Sequence, residues 1–190
     1  SATSGTLSFN YASTTFDWAS IPNSISGPDR ALATLMYAVG VGVDMDYSPQ
    51  ESGAWVISSH TSTPPNCAEY ALKTYFGYDQ SLHGEARNDY SDATWTNMLT
   101  DELDNGRPIV YAGQGTSGGH CFVLDGYDDN GLFHVNWGWA GSSDGYFAID
   151  GLNPPALGTG GGAGGFNSWQ QAILGLPRSD ARRVGTECRS

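Results

Sequence analysis

A chain of 190 residues, 39% hydrophobic and 12% aromatic, is long enough to bury a core and too apolar for a disordered polypeptide. Its formal net charge of −12 argues against nucleic acid and anionic membrane surfaces as partners, and no apolar run approaches the roughly twenty residues of a membrane span. Three cysteines without a CxxC pair and four histidines without ligand spacing indicate neither a disulfide framework nor a metal site, so no metal or other cofactor is expected.

The chain opens on Ser1 with neither an initiator methionine nor a signal peptide, as a processed or cut piece of a longer protein would. Four of the eight basic residues, Arg178, Arg182, Arg183 and Arg189, crowd into residues 178–190, which lack apolar periodicity. That stretch reads as a disordered tail or a remnant foreign to the domain, leaving 1–177 as the folded part. Without it the body carries four basic and eighteen acidic side chains, a balance of −14. An acidic, lysine-poor body rich in Ser, Thr and Gly is common among secreted microbial proteins.

Residues 6–18, TLSFNYASTTFDW, have the β-branched and aromatic content of one or two strands. A helix is predicted over 29–40, with Asp29 capping its start, Leu32, Leu35, Met36 and Val39 on the inward face, and Gly40 as its stop. The next stretch, VGVDMDYSPQESGAW, reads as a loop. Its Asp44-Met45-Asp46 lacks the glycine and glutamate offsets of a calcium loop. A second helix is predicted over 64–77, with Asn66 as cap, a stripe of Ala68, Ala71, Leu72 and Tyr75, and Gly77 as stop. A third, over 91–106, turns Trp95, Met98, Leu99 and Leu103 inward. Beyond Pro108 the pattern changes to strands: PIVYAG, HCFVLDG, LFHVNWG and GYFAIDG. Helices followed by strands predict an α+β fold with an antiparallel sheet.

HCFVLDG and LFHVNWG, joined by YDDN, are predicted to form a hairpin. A four-residue loop at Tyr127–Asn130 sets His120 opposite Trp137 and diagonal to Asn136. A tight Asn130-Gly131 turn slips the register by four and faces His120 with Gly141. In the first register the trio has a chemical meaning. A thiol or hydroxyl nucleophile needs a base, imidazole serves near neutral pH, and a neutral amide can orient it while an indole covers the bond. Gly118 and Gly119 leave the approach to His120 open. The residues alone leave a second reading standing, a core histidine satisfied by a carbonyl.

The stretch GGHCFVLDGYDDNGLFHVNWGWAGSSDGYFAIDGLNP resembles the histidine region of the streptopain family of secreted cysteine peptidases. VGVDMDY at 41–47, ALKTYFGYDQSLH at 71–83 and ALGTGGGAGGFN at 156–167 resemble the same family in the same order, so the likeness covers roughly 5–176. The resemblance implies a papain-like fold of a helical half and a sheet half, here N-terminally incomplete. It implies cysteine endopeptidase activity through an acyl-enzyme, with His120 as general base, Asn136 as its orienting amide and Trp137 as the ring beside it. Ser52 and Gly53 correspond to the border of the pocket for the residue two before the cleaved bond, and a solvated turn is the plainer reading. Ala112 and Gln114 correspond to positions lining the cleft but differ from the family's residues. Gln114, Gly118 and Gly119 are expected to face substrate. The glycine run at 158–165 matches a mobile loop beside the cleft. Protein or peptide substrates, an inhibitory pro-segment and an extracellular location follow from the same resemblance.

The family's nucleophile lies upstream of the histidine, in a Gly-Cys-Val-Ala-Thr-Ala-type segment that opens a helix, preceded by a glutamine that helps form the oxyanion hole. No such segment occurs in this sequence. Cys67 stands at the start of a predicted helix, where the dipole would lower a thiol pKa, but ALKTYFGY corresponds to a helix in which the family has no catalytic cysteine. Cys121 adjoins His120 along a strand and therefore points to the opposite face. Cys188 lies in the tail. The sequence thus leaves a peptidase whose thiolate comes from outside these residues, or an inactive truncated homologue that only binds extended polypeptide.

Overall fold

A computed structural model describes residues 5–22, 24–49, 51–58, 66–116, 118–158 and 165–176. The chain divides into two compact units, Ser1–Gly77 and Tyr78–Ser190. The predicted tail at 178–190, residues 159–164 of the glycine run, and Pro64-Pro65 lie outside the described residues.

In the first unit the strands expected over 6–18 do not form. Short 3-10 turns occur instead at Tyr11–Ser13 and Trp18–Ser20, each capped by a side chain accepting from the backbone three residues on: Asn10 from Ser13 N, Asp17 from Ser20 N. Such local bonds compete with a ladder. The aromatic content serves stacking instead. Tyr11 lies on Tyr75 at 4.3 Å and Phe16 on Phe76 at 5.9 Å.

Helix α1 (Arg30–Gly42) begins as predicted, with Asp29 Oδ1 accepting from Leu32 N at 2.7 Å. Its buried positions are Ala38, Gly40 and Gly42, whereas Met36 and Val39 of the predicted inward stripe are 61% and 37% exposed. Small residues win because they admit close neighbours: Tyr11 donates its hydroxyl to Ala38 O at 2.6 Å, and Gly42 lies against Ala71 and Phe76. The helix runs past Gly40, and Asp44, at φ +53°, takes the left-handed position that follows its end. The stretch expected to be a loop then holds a two-residue ribbon, β1 (Asp46–Tyr47) paired antiparallel with β2 (Ser52–Gly53).

Helix α2 (Ala68–Tyr75) is capped by Cys67 rather than Asn66. Its first amides are taken by the segment before it: Ala68 N donates to Trp55 O and Glu69 N to Val56 O, both at 3.0 Å. Glu69 is buried, a polar residue beside the apolar stripe. It accepts from Ser58 N and Oγ and pairs with Lys73 at 2.8 Å.

The second unit is a six-stranded antiparallel sheet in the order β3-β8-β4-β5-β6-β7. The four predicted strands appear as β4 (Ile109–Gly115), β5 (Gly118–Tyr127), β6 (Phe133–Asn136) and β7 (Gly145–Phe147). Two more went unread, β3 (His83–Ala86) and β8 (Ser168–Leu174). Helix α3 (Asp92–Asp104), capped by Ser91, buries Trp95 and Leu99 in the core this sheet builds. Full burial of side chains of this size contributes on the order of 1.5–3 kcal/mol each.

A polar network crosses that core. Gln170, 3% exposed, accepts at Oε1 from Arg87 and from the Tyr111 hydroxyl (3.1 Å). Its Nε2 donates to Ile149 O (2.7 Å) and Phe166 O (3.2 Å). Tyr111 in turn accepts from Trp95 Nε1 at 3.0 Å. Every polar atom of the Gln170 amide is thereby satisfied, which a buried amide requires.

Candidate active site

The site is built where β5 leaves the hairpin and β6 ends. Neither predicted register is adopted. Tyr127 pairs with Phe133 and Gly126 with His134. An irregularity at Asp125 follows, after which Leu124 pairs with Val135 and Val123 with Asn136. The turn explains the first offset. Asp128 N donates to Leu132 O, enclosing Asp129–Gly131, and Gly131 supplies the left-handed residue (φ +76°) of a three-residue hairpin loop. The bulge supplies the second. Extended to His120, this register reaches residue 139 rather than 137.

Ring geometry agrees. Trp139 stacks on the His120 imidazole at 4.8 Å and 20°, while the fully buried Trp137 stacks farther off, at 6.4 Å and 18°. Phe166 (5.4 Å) and Phe122 (6.0 Å) complete an aromatic surround. On the neighbouring strand Gly113 pairs with His120, and Phe166 O sits so close to its Cα that a β-carbon would collide with it.

His120 Nε2 lies 2.8 Å from Trp137 O. A carbonyl can only accept, so Nε2 carries the proton and Nδ1 is the basic nitrogen of the neutral ring. Nδ1 has no hydrogen-bond partner among the described residues. Burial pushes the imidazole pKa below its usual value, and the Trp137 carbonyl offsets part of that. The bond expected between Asn136 and the imidazole is not made. Asn136 is exposed and its Oδ1 accepts from Gly138 N at 2.9 Å, because the shifted register sets Asn136 opposite Val123. Trp137 therefore meets the histidine through its backbone oxygen as well as its ring.

Gln114, Gly118 and Gly119 gather at the turn end of the β4–β5 hairpin, where Gln114 pairs with Gly119 and Gly115 with Gly118; Gln114, Gly118 and Gly119 are exposed. Ser52 and Gly53 belong to the first unit, as the exposed strand β2. Cys67 is fully buried there. Its sulfur accepts from Tyr70 N at 3.5 Å, and burial, with Glu69 nearby, pushes the thiol pKa up despite the helix terminus. Cys121 is exposed next to the half-buried His120, as strand alternation predicts. No group of three His, Cys, Asp or Glu among the described residues is arranged to hold a metal.

Three residues around the histidine escaped the sequence reading. Trp139 was in view within NWGW, but only the true register brings it over the ring. Phe166 follows the glycine run, and nothing local marks it. Asp144 accepts from Trp137 N at 2.9 Å, a contact across a loop.

Known cysteine proteases resemble this chain over most of its length. Streptopain of Streptococcus pyogenes serotype M28 is 45% identical over 166 residues, 85% of this chain but 39% of its own length. The thiol protease/hemagglutinin PrtT of Porphyromonas gingivalis is 38% identical over 167 residues, 85% of this chain and 18% of PrtT. The active wild-type interpain A cysteine protease of Prevotella intermedia superposes with a TM-score of 0.70 at 35% identity, covering 85% of this chain and 64% of that one. A prointerpain A fragment from the same organism gives 0.66 at 36% identity, covering 87% and 50%. The α+β, papain-like fold expected from the sequence is thus that of a solved cysteine protease, and the chain spans less than two thirds of each of these relatives. The family model described as Peptidase C10 family matches residues 1–147, and this chain belongs to that family.

Proposed function

We propose that this chain supplies the general base of a secreted cysteine endopeptidase, with His120 acting through Nδ1 on a thiol from outside these 190 residues. The observation that carries the reading is the His120 imidazole itself. Its Nε2 is held on a carbonyl, its Nδ1 is open, and aromatic rings surround it. A satisfied core histidine would account for the Trp137 bond but not for membership of a peptidase family, so here the two readings coincide in one residue.

In the proposed reaction Nδ1 takes the thiol proton and the thiolate attacks the peptide carbonyl carbon. The imidazolium then returns that proton to the leaving amine as the C–N bond breaks, leaving a thioester. Water, deprotonated by Nδ1, attacks the thioester, the C–S bond breaks and the thiol is restored. A neutral resting imidazole, favoured by burial, suits the first step. An extended protein or peptide substrate would run past Gln114, Gly118 and Gly119; for Ser52 and Gly53 a substrate-binding role rests on the family resemblance alone. The likeness to a prointerpain A fragment supports an inhibitory pro-segment as a second occupant. Two observations favour a binding-only homologue: Cys67 is buried with a raised pKa, and Cys121 is exposed on the strand face opposite His120.

The test uses the protein as its host produces it, assayed on casein and labelled with an epoxysuccinyl thiol inhibitor. His120→Ala is expected to lower turnover by at least ~10²-fold, the usual worth of a general base, and Cys67→Ser to leave it unchanged. An inhibitor adduct on Cys67, or full activity in His120→Ala, would overturn the assignment. No turnover by the unmutated protein would decide for the binding-only reading.

A further inference from the structure

We propose that Asn136 and Asp144 are positioning residues for the His120 base, acting through the backbone of Trp137 and not on the imidazole. The inference rests on the reading of His120 as base. Trp137 follows the last residue of β6, so no ladder bond of that strand fixes the carbonyl that His120 Nε2 uses.

Three other bonds do. The Gly138 N–H belongs to the same peptide plane as the Trp137 carbonyl, and it donates to Asn136 Oδ1 at 2.9 Å. The Trp137 N–H, in the preceding plane, donates to Asp144 Oδ1 at 2.9 Å. The indole N–H donates to Ser143 O at 3.0 Å. Both planes flanking Trp137 and its side chain are tied, so the carbonyl cannot swing off Nε2 without breaking one of them. Two of the bonds also lie in series: imidazole N–H to carbonyl, then peptide N–H to the Asn136 amide oxygen. Each bond of such a chain polarises the next.

The loop supplies an independent sign of this constraint. Ala140 and Ser143, neither of them glycine, hold φ of +54° and +67°. Left-handed backbone at such residues persists where the surroundings over-determine it, and Ser143 is the residue whose carbonyl holds the indole. It is tied further by its hydroxyl, which donates to Ala156 O at 2.8 Å. The plain alternative is that Asn136 and Asp144 only stabilise the turn. The two accounts differ in what happens to the imidazole.

The experiment reads the His120 tautomer in the 190-residue chain by long-range ¹⁵N–¹H NMR, with His83 and His134 as internal controls. The unmutated chain is expected to show the Nε2–H form. Asn136→Ala and Asp144→Ala should each shift the tautomer ratio toward Nδ1–H by about 5-fold, the equilibrium worth of one ordinary hydrogen bond. Asn136→Asp and Asp144→Asn keep an acceptor at each place and should restore the unmutated ratio. A turn-stabilising role alone would lower the melting temperature of the alanine variants and leave the tautomer of the folded protein unchanged. That result overturns the proposal. Should the alanine variants not fold, the proposal stands or falls on the conservative pair, and loss of the Nε2–H form in either would overturn it. The readout needs neither nucleophile nor substrate, so its failure is distinct from a failure of the peptidase reading, which the His120→Ala assay decides.

Discussion

Replacing Gln170 by leucine tests whether the buried polar network holds the second unit together. Leucine has similar bulk and no polar atoms. It strips the Tyr111 hydroxyl and the Phe166 carbonyl of the Gln170 bonds at 3.1 and 3.2 Å, and both residues are 0% exposed, so water cannot replace them. Arg87 and Ile149 lose a bond as well, but they keep each other at 3.1 Å. The Tyr111 hydroxyl still accepts from Trp95 but loses the acceptor for its proton, and the Phe166 carbonyl loses its Gln170 donor; such buried losses cost about 1–3 kcal/mol each. Against about 1 kcal/mol recovered from the added apolar side chain, the net loss is about 3 kcal/mol. For a unit of roughly a hundred residues this lowers the melting temperature by about 10–20 °C. Urea and thermal melts of Gln170→Leu beside Gln171→Leu, a half-buried neighbour, measure it. A double-mutant cycle with Tyr111→Phe should be sub-additive by about 1 kcal/mol, since the double variant no longer strands the hydroxyl. A Gln170→Leu melt within 3 °C of the parent would refute the reasoning.

Two further outcomes follow from the site. Because burial lowers the His120 pKa in the folded state, the unfolded chain binds the proton more readily through the ordinary histidine range. Its contribution to stability is therefore present above about pH 6.5 and lost as the pH falls toward the folded value. Unfolding free energies between pH 7.5 and 5 should show a shallower slope in His120→Gln, and equal slopes would contradict the assignment. Gly113→Ala should cost about 1–3 kcal/mol, because its β-carbon meets the backbone oxygen of Phe166 and β4 must shift. Gly53→Ala, where nothing lies within 4 Å, should melt within about 0.5 kcal/mol of the parent, and parity between the two variants would count against the close packing beside His120.

What could be read in advance followed from local chemistry. Asp29 announces its helix because a carboxylate at that place takes an amide that no helical carbonyl can reach. His120 announced itself by lying in an apolar strand behind two glycines. What could not be read depended on partners distant in sequence. Met36 and Val39 have the spacing of a buried stripe, yet Ala38, Gly40 and Gly42 take the inside because Tyr11 and α2 can approach them closely. Strand β8 was missed because SWQQAIL carries two glutamines, and only the network around Gln170 makes one of them a core residue. Both hairpin registers failed at the turn, which closes on three residues instead of four or two, and the bulge at Asp125, which has no signature of its own, then sets residue 139 instead of 140 level with the imidazole.

The order of strands in the sheet also fixes a sequence of events. β8 is the last of the described strands in chain order, yet it lies between β3 and β4, and among the described residues β3 pairs with no other strand. While the polypeptide is still emerging from a ribosome, β4, β5, β6 and β7 can pair as neighbours in turn, but β3 must wait unpaired until Ser168–Leu174 arrives to fill the slot. Phe166 and Gln170 arrive with it, so the wall of the imidazole's surround and the hub of the buried network are laid in the same late step. The surround of His120 and the sheet are completed together, a delay built into the order of the strands.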